Sequence, residues 1–125
     1  MEFLKKFRNW KDIVEHPSET VIFQEGSPAE YLYVIIAGEV ELTLRKEPLV
    51  IESAGGIIGE TALFELATRN ATATTLSDVK LARVNRDQLG ELMKESTEFS
   101  LQLMSVLANR LRAVNNYISS QLGPV

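Results

Sequence analysis

Gly59, Glu60 and Arg69 are the residues of this chain whose types and spacing best suit chemistry. Ile57 and Ile58 lead into the glycine, a short helix-forming run follows the acid, and Arg69 stands nine residues after Glu60. A glycine has no Cβ and lets backbone come close to a ligand. The first turn of a following helix offers free N–H groups at the positive end of its peptide dipoles, a natural place for an anion. An arginine adds a planar, permanently charged fork that matches two oxygens of a phosphate. A glutamate, acceptor-only when ionised, suits a sugar hydroxyl. Together these describe a pocket for a sugar phosphate. The same residues also fit a strand, one helical turn and a surface Arg–Glu ion pair, and their types alone leave both readings open.

The run Gly59-Glu60, Ala62-Leu63 and Arg69-x-Ala71-Thr72 resembles the phosphate-binding cassette of the cyclic-nucleotide-binding domain family. That family includes catabolite activator protein and the regulatory subunits of protein kinase A. The segment from Phe23 to Val40, with its Gly38-Glu39-Val40 run, resembles the family's early strands. The likeness extends over roughly residues 20–115. It implies a jelly-roll β-barrel and a 3′,5′-cyclic nucleotide as ligand, cAMP or cGMP, with cAMP favoured by family frequency. It implies that Arg69 meets the exocyclic phosphate oxygens, joined by the backbone N–H groups of Ala62 and Asn70. Gly59 and Glu60 would hold the ribose 2′-hydroxyl, Leu63 and Ala71 would form apolar walls, and Thr61 lies within the cassette. Asn70 occupies a position that bears on the choice of base. In this family the last helix commonly closes as a lid, which makes Val114, Asn115 and Tyr117 candidates for contacts with the base.

These residues need a scaffold, and 125 residues suffice for one domain with a real core. The absence of cysteine excludes disulfides, thiolate metal sites and cysteine nucleophiles. A single histidine, His16, excludes a multi-histidine metal centre. No catalytic set and no metal site emerges, so a non-enzymatic role is expected, with no cofactor beyond the nucleotide ligand. No apolar run approaches the roughly 18 residues of a membrane span, and the N-terminus lacks the apolar core of a signal peptide. A cytoplasmic protein is the expectation. The net charge of −4 argues against nucleic acid as a partner.

Phe3, Phe7, Trp10, Ile13 and Val14 recur at steps of three and four, so the first 16 residues are expected to form an N-terminal helix packed on the domain. Its lysines would also suit an anionic membrane surface, although packing is the favoured reading. Residues 20–84 are expected to form the barrel, with the cassette at 59–72. Glu39–Arg45 alternates strictly and turns Val40, Leu42 and Leu44 inward. Ala71–Leu76 and Val79–Val84 are expected to pair as a hairpin across Ser77-Asp78. Residues 87–122 read as helices, stopped by Gly123-Pro124. Their apolar stripe runs from Phe99 through Leu103, Val106/Leu107, Arg110/Leu111 and Val114 to Tyr117/Ile118. It is too long for the barrel to cover, and a homodimer through this helix is the expected solution.

The fold class predicted is therefore mainly β with flanking helices, a single domain over 1–125. The function predicted is a nucleotide-sensing regulatory module that signals through its last helix to an effector protein in trans. The alternative is a dimeric scaffold or adaptor of the same fold with a vestigial pocket. Glu60 and Arg69 together weigh against that alternative, because two charges in a pocket without a ligand gain little.

Overall fold

Eight short strands build two four-stranded antiparallel sheets in the computed structural model, which describes residues 2–60 and 68–122. They are β1 (Ile13–His16), β2 (Val21–Phe23), β3 (Leu32–Ala37), β4 (Val40–Leu44), β5 (Glu47–Glu52), β6 (Ile57–Ile58), β7 (Thr72–Thr75) and β8 (Val79–Val84). One sheet runs β1-β8-β3-β6 and the other β2-β7-β4-β5. Helix α1 (Glu2–Arg8) precedes them, and α2 (Arg86–Glu95) and α3 (Thr97–Leu122) follow. The mainly-β class with flanking helices is as the sequence predicts.

Strand β3 explains why one sheet serves two cores. Its side chains alternate across the sheet, and both faces are covered, which is why the run Tyr31–Ile36 is apolar nearly throughout. Leu32, Val34 and Ile36 pack with Phe3, Phe7, Leu89, Leu92, Phe99, Leu103 and Val106 of the helices. Ile35 joins Val40, Leu42, Ile58, Ala73 and Leu81 inside the barrel. In β4, Val40 and Leu42 are buried and Leu44 half-buried.

The N-terminal helix is shorter than predicted. It ends at Arg8, and Ile13–His16 form a strand on the edge of β8, so the strands begin at residue 13 instead of 20. Ile13 and Val14 are β-branched and suit a pleated edge better than a helix. The chain is fastened there by the Trp10 indole N–H, which donates to the Arg83 carbonyl at 2.7 Å, and by the Arg83–Asp12 ion pair at 2.9 Å. The predicted pairing of 71–76 with 79–84 does not form either. β7 pairs with β2 and β4, whereas β8 pairs with β1 and β3, so residues 76–78 carry the chain from one sheet to the other. The polar groups of this crossing bond elsewhere. The Glu39 N–H donates to Ser77 Oγ at 3.0 Å, and the Ser18 N–H donates to Asp78 Oδ1 at 3.0 Å. Gly38 turns at φ 94° against this crossing, and a Cβ there would strike the Asp78 carbonyl oxygen.

Asn85 and Gln88 cap α2 reciprocally, each side chain accepting from the other's backbone N–H at 2.9 Å. Ser96 interrupts the helical run in an extended conformation, and its hydroxyl accepts the Phe99 N–H at 3.0 Å to start α3. The predicted stop at Gly123-Pro124 lies outside the described residues. Along α3 the predicted stripe divides, with Leu111 and Ile118 parting from the rest to join Leu101, Met104 and Leu122, which it did not include. Phe99, Leu103 and Val106 are buried against the barrel, and Arg110, Val114 and Tyr117 continue that face half-buried. Leu101, Met104, Leu111, Ile118 and Leu122 stay exposed on the other.

Candidate functional site

The backbone of Arg69 is held before its side chain does anything. Its N–H donates to the Ser27 carbonyl at 2.8 Å, and its own carbonyl accepts the Gly26 N–H at 2.7 Å. Pro28 and Thr68 form an isolated β-bridge alongside. From this fixed point the side chain runs into the barrel, where Arg69 is 4% exposed. Nη1 donates to the Gly59 carbonyl at 3.0 Å and Nη2 to the Tyr31 carbonyl at 2.6 Å. The guanidinium lies over the Phe23 ring, 4.3 Å from its centroid, with Tyr33 further off at 5.9 Å. Burial lowers the Arg69 pKa from the usual arginine range, a pull opposed by the neighbouring Tyr33 and Glu60. Tyr33 in turn titrates above the ordinary tyrosine value because it is buried, despite the two nearby arginines. Among the described residues no carboxylate comes within ion-pair distance of Arg69. A buried charge normally requires one.

Gly59 is what lets the guanidinium come so near. It turns at φ 81°, in the region that favours glycine, and an added Cβ would collide with Arg69 Nη1. Glu60 follows and is 1% exposed, as deeply buried as the core leucines. One of its oxygens, Oε1, accepts from Arg110 Nη1 at 3.0 Å. The other, Oε2, is buried with no hydrogen-bond partner among the described residues, and so are Arg69 Nε and Arg110 Nε. Native interiors leave few such groups unpaired. The three residues that carry them line one small cavity.

Arg110 is the cavity residue that sequence reasoning passed over. It stands one helical step beyond Val106 on the inward face of α3, and reaches the Ile57 carbonyl at 2.7 Å as well as Glu60. Glu52 lies 3.6 Å from the same guanidinium. Burial raises the Glu52 pKa above the ordinary glutamate value, Arg110 opposes the rise and Glu60 adds to it. Two turns earlier, Gln102 donates to the Gly55 carbonyl at 2.7 Å. The helix is thus pinned at two points to the segment that enters the cassette. An arginine on an otherwise apolar stripe was the available signal.

The structure brings Gly59, Glu60, Arg69, Asn70 and Ala71 together around one cavity, closed by Phe23, Leu42 and Arg110. The cavity measures about 20 Å³, room for about one water molecule. Thr61, Ala62 and Leu63 lie outside the described residues. The three lid candidates do not line this cavity. Tyr117 sits in a separate cleft against Glu47, Pro48 and Leu49, Val114 is half-buried, and Asn115 is exposed.

The two packed sheets and this cassette define a class. Residues 13–96 match the family model described as cyclic nucleotide-binding domain, and the chain belongs to that family. Over 111 residues it is 34% identical to the CRP-like cAMP-activated global transcriptional regulator of Mycobacterium tuberculosis, a match covering 85% of this chain and 50% of that protein. The chain thus spans about half the length of that relative. A solved structure of the EAL enzyme Bd1971 in its cAMP-bound form is 36% identical, with TM-score 0.63, covering 89% of this chain and 30% of the other. The c-di-GMP-responsive regulator CLP of Xanthomonas campestris shares the fold at TM-score 0.81 and 24% identity, over 94% of this chain and 62% of that one. The chain is a cyclic nucleotide-binding regulatory domain of the kind found in CRP-type regulators and protein kinase A regulatory subunits. Among the described residues no helix is long and apolar enough to cross a membrane, and no cluster of metal-ligating side chains occurs.

Proposed function

We propose that this chain is a non-enzymatic sensor of a 3′,5′-cyclic nucleotide, cAMP in preference to cGMP, and that it signals through α3. The observation that carries the reading is the buried Arg69 guanidinium, which has no carboxylate partner among the described residues, set beside Glu60 with one oxygen unpaired among them. A cyclic phosphate supplies the missing negative charge, and the ribose 2′-hydroxyl donates to Glu60 Oε2. Gly59, Asn70 and Ala71 complete the wall, with Thr61, Ala62 and Leu63 of the cassette. The mycobacterial regulator, cAMP-activated by its name, supports cAMP, whereas Bd1971 was solved with cAMP and with cGMP bound and supports a cyclic nucleotide of either base.

Nucleotide-sized ligands occupy pockets of roughly 300 Å³ or more, against about 20 Å³ here. Binding therefore displaces side chains, and Arg110 is the one that transmits the displacement to a helix. Ligand that competes for, or reshapes, the Glu60 carboxylate shifts the equilibrium between positions of α3. Val114, Asn115 and Tyr117 meet the base in the shifted position. The exposed face of α3 supports a homodimer. Leu101, Met104, Ala108, Leu111, Asn115, Ile118 and Leu122 follow one another at alternating steps of three and four, the seam of a two-stranded coiled coil with one polar position. The signal then passes to an effector protein in trans, in the cytoplasm, without direct contact of this domain with nucleic acid or membrane.

A scaffold with a vestigial pocket is the second reading, and the small cavity is what favours it. Calorimetry separates the two. The wild type is titrated with cAMP and with cGMP, and Arg69→Ala alongside. Removing one partner of a buried charge pair costs about 3–5 kcal/mol, so Arg69→Ala is expected to weaken binding by roughly two to three orders of magnitude. Unchanged affinity in that variant would refute the site. No binding of either nucleotide to the folded wild type would leave the scaffold.

A further inference from the structure

We infer that Phe23 is the positioning residue for the anion-binding arginine, fixing the plane of the Arg69 guanidinium so that its unpaired edge faces the cavity. The inference rests on the cyclic-nucleotide reading of that cavity and adds a residue outside the cassette.

Phe23 ends β2, and its half-buried ring lines the cavity floor beneath the guanidinium. The ring centroid lies 4.3 Å from Arg69 Cζ, well inside the roughly 6 Å over which a cation is attracted to an aromatic face. Tyr33 lies beside the pair, its centroid 6.1 Å from that of Phe23 with planes within 21° and 5.9 Å from Arg69 Cζ, and its ring packs against that of Phe23. The carbonyls of Gly59 and Tyr31 take one N–H from each terminal nitrogen. A guanidinium has five N–H donors, so those two bonds leave three, of which buried Nε has no partner. The two bonds and the flexible side-chain stem still let the plane tilt. A flat surface in van der Waals contact removes that freedom.

The consequence is pre-organisation. A fork already oriented loses less entropy when a phosphate arrives. Leucine at position 23 preserves apolar volume but offers no π face, whereas tyrosine preserves the face. Phe23 is only half-buried, and both variants are therefore expected to fold.

The test measures cAMP affinity for wild type, Phe23→Leu and Phe23→Tyr. Phe23→Leu is expected to bind about tenfold or more weakly and Phe23→Tyr about as well as wild type. In an Arg69→Lys background, where no planar fork remains, Phe23→Leu is expected to cost less than about twofold. Equal affinity of wild type and Phe23→Leu would overturn the inference. So would a loss of the same size in the lysine background, which would make Phe23 a direct ligand wall. A ligand-free readout separates failure of this inference from failure of the cyclic-nucleotide reading. The Arg69 Nε–H resonance is expected to be shielded by the Phe23 ring current in wild type and to lose that shielding in Phe23→Leu. An unshielded wild-type resonance would overturn the positioning role whatever binds. Wild type that shows the shielding yet binds no cyclic nucleotide would remove the functional reading and, with it, the role proposed for the stack.

Discussion

Replacing Arg110 by methionine tests the ion cluster without any ligand. The change keeps the length and apolar stem of the side chain and removes a cation that is 14% exposed. Glu60, at 1% exposure, then loses its only hydrogen-bonded partner among the described residues, and Glu52 is left beside it with no counter-charge. Stripping one partner from a buried pair costs about 3–5 kcal/mol. The Ile57 carbonyl also loses its donor, and part of the cost is recovered when a carboxylate takes up a proton, so about 3 kcal/mol is the working figure at neutral pH. For a domain of this size that lowers Tm by about 10 °C. The assay is thermal unfolding followed by circular dichroism at several pH values. In the variant Glu52, whose pKa burial already raises, loses the Arg110 charge that opposes the rise, and it holds its proton more tightly in the folded than in the unfolded state. The folded state then binds the extra proton, stability rises as pH falls, and the deficit relative to wild type shrinks in acid. Adding Glu60→Gln to the variant is expected to restore most of the loss at neutral pH. A deficit that is absent, or one that neither acid nor Glu60→Gln reduces, would refute the cluster as described.

Two further expectations concern the same helix and its surroundings. Burial raises the Glu52 pKa, so the folded state keeps that proton to higher pH than the unfolded chain, and stability declines as pH rises above about 4.3. Glu52→Gln is expected to flatten this decline, which urea titrations between about pH 4 and pH 7 would reveal as a smaller slope. Leu111 is 61% exposed at the centre of the outward stripe. Leu111→Glu is expected to leave the helix content intact and shift the protein from dimer to monomer in sedimentation velocity. A monomeric wild type would discard the coiled-coil seam.

The barrel was legible because its signals are local. Strict alternation at Glu39–Arg45 and the unbroken run at Tyr31–Ile36 each specify a strand and the faces it buries, and the structure forms both. The errors arose where pairing partners are distant in sequence. Ile13 and Val14 fit a helical spacing as well as a strand, and only the free edge of β8 decides between them. Ser77-Asp78 has the composition of a hairpin turn, yet their side chains bond Glu39 and Ser18 and direct the chain into the other sheet. Within the site, Glu60 and Arg69 were legible as types at a spacing. The partner that closes the cavity was not, since Arg110 lies 50 positions after Glu60 and only the packing of α3 brings them together. Phe23 was equally hidden, a strand residue whose role depends on which side chain lies across its ring.

Glu60 divides its two oxygens between the helix and the cavity. A carboxylate shared in this way is a thermodynamic junction. Any occupant that draws charge or position toward Oε2 alters the hold of Oε1 on Arg110, and any force that moves α3 alters what Oε2 offers. Linkage requires the two effects to be equal in size. On the sensing reading, whatever grips the helix from outside, a second copy or an effector, tunes nucleotide affinity by the same factor by which nucleotide tunes that grip. The domain is then a two-way meter, and its sensitivity to nucleotide belongs to the complex it sits in as much as to its own sequence.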